Sequence, residues 1–346
     1  MAYPFPIQSP FSDAQLQQQF GIVTDELDPD PALHFKLMVP LNWGQVKFSR
    51  RQVTPQQPFQ LRGHLTSMAG PLAEAKVYIV YTPEELSPCD WLSIYLEHQQ
   101  ETVLHERHTK QEGGAIPDVL SEANGLISRW LVLKDWARSG GAHLFVLQLS
   151  TAAAAYTAHL ADVFVACLSH FDLLHSTGWA YAEPLRTLVR PAPIPLQTAF
   201  PISWQQLENP LGNELFYQVQ LTKQLHDQRI GRIYIATVSQ QAEPDMTRLP
   251  SLFNEQYHRD GIAFDSPHFK ALPPFGGLQR AWYGHVAQHP AAGNVPAYER
   301  EIVVGQVGQT WFYTEQLSFT RAVSAESWAI GKRAFEIILD RLVVQR

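Results

Sequence analysis

The chain has 346 residues, 45% of them hydrophobic and 17% charged, so there is apolar material enough for a core in each of two ordinary domains. Its net charge of −7, with basic residues scattered rather than in runs, argues against a nucleic-acid or anionic-membrane surface. The two cysteines, Cys89 and Cys167, form no C-x-x-C pair, which predicts neither a disulfide framework nor a cysteine zinc site and fits a cytoplasmic protein.

Residues 1–30 are proline-rich and end in Asp25-Glu26-Leu27-Asp28-Pro29-Asp30. They are too polar to bury much surface, so they read as an arm. The first nineteen lack the basic and apolar regions of an export signal, and no run of apolar residues in the chain is long enough for a membrane span. From Phe35 the pattern alternates through Leu37 and Val39 to Pro40, with Trp43 beyond: a half-buried strand stopped by proline. A second strand is expected over Lys76-Val77-Tyr78-Ile79-Val80. Trp91, Leu92, Tyr95 and Leu96 then make an amphipathic helix, with Asp90 as its N-cap. A tryptophan strand covers Ser128–Val132, and an apolar strand covers His143–Leu147 after the Gly140-Gly141 turn. Tyr156, Leu160, Val163, Phe164, Cys167, Leu168 and Phe171 recur at helical spacing and close the segment.

Arg190-Pro-Ala-Pro-Ile-Pro then reads as a stiff linker. Beyond it the same order returns. Leu196, Thr198, Phe200, Pro201 and Trp204 match the first strand, and Arg232-Ile233-Tyr234-Ile235-Ala236 the second. A short helix carries Leu249, Leu252, Phe253 and Tyr257. Strands follow at Gln279–Tyr283 and Thr310–Tyr313, and a last helix carries Trp328, Gly331, Phe335, Ile338 and Leu342. Glu301–Val304 reads as a strand added in the second copy. The expected organisation is an arm at 1–30, a domain at 31–185, a linker at 186–195 and a second domain at 196–346. Each domain is α+β, an antiparallel sheet backed by helices.

The repeated Pro-x-x-Trp (Pro40-Leu41-Asn42-Trp43 and Pro201-Ile202-Ser203-Trp204), the inner strands and the closing helices resemble the PsbP-like superfamily, over about 33–180 and 194–345. That superfamily includes the DcrB-type bacterial proteins and the Eag chaperones of type VI secretion effectors. The resemblance implies a curved antiparallel sheet used to bind other proteins without catalysis, and it supplies no catalytic residue. Two copies in one chain depart from the usual single domain; a fused pair would mimic the dimers in which Eag chaperones work.

No Gly-x-Ser-x-Gly elbow, P-loop, Rossmann fingerprint or His-Glu-x-x-His is present. His105 and His108 would share a helix face and could hold a metal, but on a strand they point to opposite sides, and no third ligand is identifiable beside them or His98. Asp118, Glu122 and Asp135 read as surface carboxylates, and Cys167 as a core residue. Trp43 with Trp204, and Trp130 with Trp282, read as repeated core anchors. The unmatched Trp136, Trp179 and Trp311 are candidates for an interface. Partner-binding positions are expected on the inner strands, at Val77, Ile79, Ile233 and Ile235, with Phe145 and Phe312; burial under the domains' own helices is the alternative, because a strand has two faces. No catalytic residue, cofactor or metal is expected. The expected partner is another protein, through an apolar helix or extended segment of a secreted client, with no nucleic acid and no membrane insertion. The chain thus reads as a non-catalytic adaptor or chaperone for a bacterial secretion system. The alternatives are a structural subunit or assembly factor docking by its arm, and an enzyme built on His105 and His108.

Overall fold

Phe35, Leu37 and Val39 are buried on one side of a strand whose other residues are half-buried. In the computed structural model, β2 (Phe35–Pro40) is the centre of a small antiparallel sheet between β1 (Phe20–Asp25) and β10 (Asp172–Leu173). The structure describes residues 3–48, 59–70, 72–111, 114–190, 195–207, 216–225, 227–239, 257, 262–288 and 297–344. Two units, 1–183 and 184–346, separate by their internal contacts.

In the first unit seven antiparallel strands form the main sheet: β3 (Trp43–Gln45), β4 (Phe59–Ser67), β5 (Ala73–Thr82), β6 (Thr102–Gln111), β7 (Gly114–Ala123), β8 (Leu126–Trp136) and β9 (Ala142–Ala152). Their spatial order is β3-β4-β5-β9-β8-β7-β6. Both faces are covered. On one, α3 (Ala158–Ser169) brings Ala161, Phe164 and Cys167 onto Val77, Ile79, Leu147 and Leu149. On the other, α2 (Pro88–His98) brings Leu92 and Leu96 onto Trp130, Val132, Leu144 and Val146. The N-cap of α2 is Ser87 rather than Asp90: its hydroxyl accepts from the Asp90 amide at 3.0 Å and donates to the Asp90 carboxylate at 2.7 Å.

The second unit contains β11 (Leu185–Arg190), β12 (Leu196–Pro201), β13 (Gln205–Gln206), β14 (Phe216–Leu225), β15 (Gln228–Ser239), β16 (His268–Leu272), β17 (Arg280–Ala287), β18 (Tyr298–Val307), β19 (Thr310–Phe319) and β20 (Val343–Val344). Its small sheet runs β11-β12-β20 and its main sheet β13-β14-β15-β19-β18-β17-β16, which is the order of the first unit shifted by ten strands. The closing helix α4 (Ala325–Asp340) packs Ala334, Phe335 and Ile338 on Ile233, Ile235 and Phe312. On the opposite face Tyr257 and Ile262 join Tyr234, Ile302, Val304 and Trp311.

The architecture is α+β with antiparallel sheets, and several finer expectations need correction. The arm is no arm: α1 (Asp13–Gln19) and β1 belong to the first unit, and Leu16 and Phe20 enter its core. Nor are residues 186–190 of the expected stiff linker at 186–195 a linker. Leu185–Arg190 is a strand paired along its length with β12; Pro191 and Pro193 lie outside the described residues. Glu301–Val304 is not an addition either, since β18 holds in the second sheet the place that β8 holds in the first. Trp130 and Trp282 are consequently not equivalent, for one lies on β8 and the other on β17. Leu249, Leu252 and Phe253 lie outside the described residues.

Candidate protein-binding site

The expected groove residues are core. Val77, Ile79, Phe145, Ile233, Ile235 and Phe312 are all fully buried, because each unit's own closing helix occupies the sheet face they point to. Trp311 is buried too, stacked on Trp282 with ring centroids 5.8 Å apart. Trp136 is half-buried at the end of β8, and Trp179 is exposed, edge-on to Tyr181. Of these nine positions only Trp179 is exposed.

What lies beyond the reach of α3 is the outer part of the same face, over β6, β7 and β8. Strand periodicity puts His105 and Arg107 on this side of β6, and Glu106 and His108 on the other, where the His108 ring meets the Glu106 carboxylate at 2.7 Å. The two histidines are therefore divided between faces, and among the described residues no group of three His, Cys, Asp or Glu side chains is placed to hold a metal. Register sets Arg107 opposite Asp118, and Arg129 opposite Leu120 one pair further on. Arg129 is fully buried and grips Asp118 with two bonds of 2.9 Å, from Nε and Nη2; Arg107 donates to the same carboxylate. Asp118 is thus no surface carboxylate but the counter-ion of two guanidinium groups. One carboxylate against two cations leaves the cluster positive.

Residues 3–6 sit on this cluster. The Phe5 ring stacks on His105 with centroids 5.5 Å apart, and the guanidinium carbons of Arg107 and Arg129 lie 4.4 and 4.7 Å from its centroid. The Pro6 carbonyl accepts from Nη2 of Arg107 and of Arg129, each at 2.8 Å. Tyr156 donates to the Pro4 carbonyl at 3.0 Å, and burial pushes its phenol up to about 12. Each cation-ring contact contributes roughly 0.5–2 kcal/mol, more as water is excluded. The segment has no ladder or helical bonds and is held by side chains acting on its carbonyls and rings.

On β17 and β18, the corresponding strands of the second unit, the face toward α4 has the opposite charge. Tyr283 donates to Glu301 at 2.8 Å, the His285 ring lies 3.7 Å from Glu299, and the Trp328 indole of α4 donates to Glu299. The hydrogen bond to Glu299 raises the pKa of His285, and burial raises that of Glu301. A separate hollow of about 400 Å³ opens beside Trp43 in the first unit, lined by Phe20, Leu41, His159, Leu160 and Val163. Trp43 therefore lines a hollow, whereas its sequence counterpart Trp204 is fully buried core. Cys167 is buried in the first core, where desolvation pushes its thiol up to about 12.

No family model matches the chain, and no curated protein matches it. Among solved structures, a protein from Bacteroides thetaiotaomicron is 13% identical over 46% of this chain, with a TM-score of 0.30; the match spans about half of that protein, 48%. The T6SS immunity protein TplEi from Pseudomonas aeruginosa is 10% identical over 94% of this chain and 97% of its own, with a TM-score of 0.26. A chain of the Tle4-Tli4 complex is 10% identical over 90% of this chain and 94% of its own, with a TM-score of 0.24. At such TM-scores these likenesses carry no argument about the role of this chain. Among the described residues no helix is long and apolar enough to cross a membrane.

Proposed function

We propose that the chain is a non-catalytic protein-binding adaptor or chaperone. The observation that carries this reading is the outer face of β6, β7 and β8, where two guanidinium groups, an imidazole and a phenol meet an extended segment by its carbonyls and an aromatic ring. Contacts of that kind suit a polypeptide better than a small metabolite, because main-chain acceptors give affinity and a ring pocket gives specificity. The narrower reading, a cytoplasmic chaperone of the PsbP-like kind serving a client of a bacterial secretion system, draws on the Pro-x-x-Trp pattern in both units.

The test is purification of the tagged full chain from its native host, with bound proteins identified by mass spectrometry, beside Arg107→Glu. One partner recovered in near-equal amount with the native chain and lost with Arg107→Glu is the expected result. Recovery of nothing above a tag-only control overturns the reading.

A further inference from the structure

The seat on β6, β7 and β8 is built more fully than its present occupant requires. Nη1 of Arg129, on a side chain with no exposure, and the buried Nη1 of Arg107 have no hydrogen-bond partner among the described residues. The occupant offers one carbonyl where two guanidinium groups converge, and it brings no charge to a cluster with two arginines and a single aspartate. A buried, unmet guanidinium donor favours any ligand that adds an acceptor, most of all an anionic one. Beyond it the chain leaves the surface before it is anchored again. Ile7, directly after it, is 75% exposed, and the next anchor is Phe11, whose ring packs on Phe20 at 5.2 Å.

Resting on the protein-binding reading above, we propose that this seat binds, in trans, an extended partner segment with an aromatic residue followed by a carboxylate. Residues 3–6 are its tethered competitor. The partner's ring replaces Phe5 between His105 and the two arginines, and its carboxylate takes the place of the Pro6 carbonyl and reaches the unmet guanidinium nitrogens. Residues 3–6 shield the seat until such a segment arrives. A short tether keeps a competitor at millimolar effective concentration, enough to exclude weak ligands and to yield to a better one.

The experiment uses the whole chain, the chain without residues 1–8, and three peptides: the sequence of residues 3–8, the same with Pro6→Asp, and the same with Phe5→Ala. Titration by calorimetry or fluorescence anisotropy is expected to show the shortened chain binding the first peptide, and the Pro6→Asp peptide roughly tenfold more tightly. The full chain should bind both roughly tenfold more weakly than the shortened one. Arg107→Gln in the shortened chain should abolish the preference for the acidic peptide. A shortened chain that unfolds cooperatively yet binds neither peptide up to about 1 mM overturns the proposal, as does equal binding of the Phe5→Ala peptide. Should the shortened chain not fold, the full chain with Phe5→Ala serves instead: it vacates the ring position, and it must bind the acidic peptide more tightly than the native chain does. A host partner captured equally well by native chain and Arg107→Gln would overturn this seat while leaving protein binding intact.

Discussion

Glu315 and Arg300, on the neighbouring strands β19 and β18, form an ion pair of 2.5 Å with both side chains wholly removed from solvent. The hydroxyls of Tyr257 and Tyr313 also donate to the Glu315 carboxylate, and burial followed by that carboxylate's charge raises both phenols well above their ordinary pKa. Removing one partner leaves a charge in an apolar interior, at a cost of about 3–5 kcal/mol, whereas replacing both costs less. Glu315→Leu should therefore lower the urea midpoint of the second unit far more than the double variant Arg300→Met/Glu315→Leu. Equal losses would show that the pair does not act as a unit.

Ile79→Glu and Ile235→Glu distinguish a core position from a docking position. Each would put a carboxylate among residues with no exposure, so each should destabilise its unit by about 4 kcal/mol or more, read as a loss of cooperative unfolding. Ile22→Glu, at a site 66% exposed on β1, should change the midpoint little. Folded, stable Ile79→Glu protein would contradict the packing of α3 on β5.

Gly277 adopts φ +86°, and a Cβ there would strike the Val344 carbonyl; at Gly276 it would lie 2.6 Å from the Leu342 carbonyl oxygen. The same turn receives the Val344 amide on the Gly276 carbonyl at 2.8 Å, so it holds β20 in place. Gly277→Ala should cost clearly more than Gly308→Ala. The latter has positive φ but open space, and its cost should be about 1 kcal/mol. Hydrogen exchange at Val344 is the local readout: faster in Gly277→Ala, unchanged in Gly308→Ala.

His143 and His285 should give opposite pH slopes. Burial lowers the pKa of His143, against the pull of Asp30, Asp135 and Asp28. The folded first unit thus resists protonation, and its stability should fall as pH drops below 6.5, where the unfolded chain takes up the proton. For His285, whose pKa is raised by Glu299, the contribution is complete below 6.5 and is lost as pH rises through the folded value. Urea midpoints between about pH 5.5 and 7.5 should show His143→Gln flattening the acid side and His285→Gln flattening the neutral side. A His143→Gln protein with the native slope would refute the assignment.

Strands with a covered face were legible in the sequence. The runs around Phe35, Val77, Phe145, Phe200 and Ile233 alternate or are continuously apolar because a helix packs on them. Strand β6 was legible only as a solvated strand around His105 and His108, and its pairing with β7 was not, since nearly all its residues are exposed with no apolar period and β7 has Pro117 in its middle. Missing that hairpin hid the site, because Asp118 lies eleven residues from Arg107 and eleven from Arg129, a symmetric spacing that only two successive hairpins bring together. The arm misread has another origin. Its mean polarity concealed four well-spaced aromatic anchors, Tyr3, Phe5, Phe11 and Phe20, and the Ser12-x-x-Gln15 capping box that starts α1. The groove failed because inward-pointing residues look alike in sequence whether a partner or the chain's own helix covers them.

In each unit the second strand takes the last as a neighbour, β2 with β10 and β12 with β20. The second and the last strand of a unit therefore lie side by side, and the large sheet hangs from that clasp as a closed excursion. A module of this shape can be copied end to end by joining exit to entrance without disturbing any strand within it. Once doubled, each copy is free to change its surface alone. The two copies differ in this part of the sheet, with paired arginines on β6 and β8 of one and paired glutamates on β18 of the other.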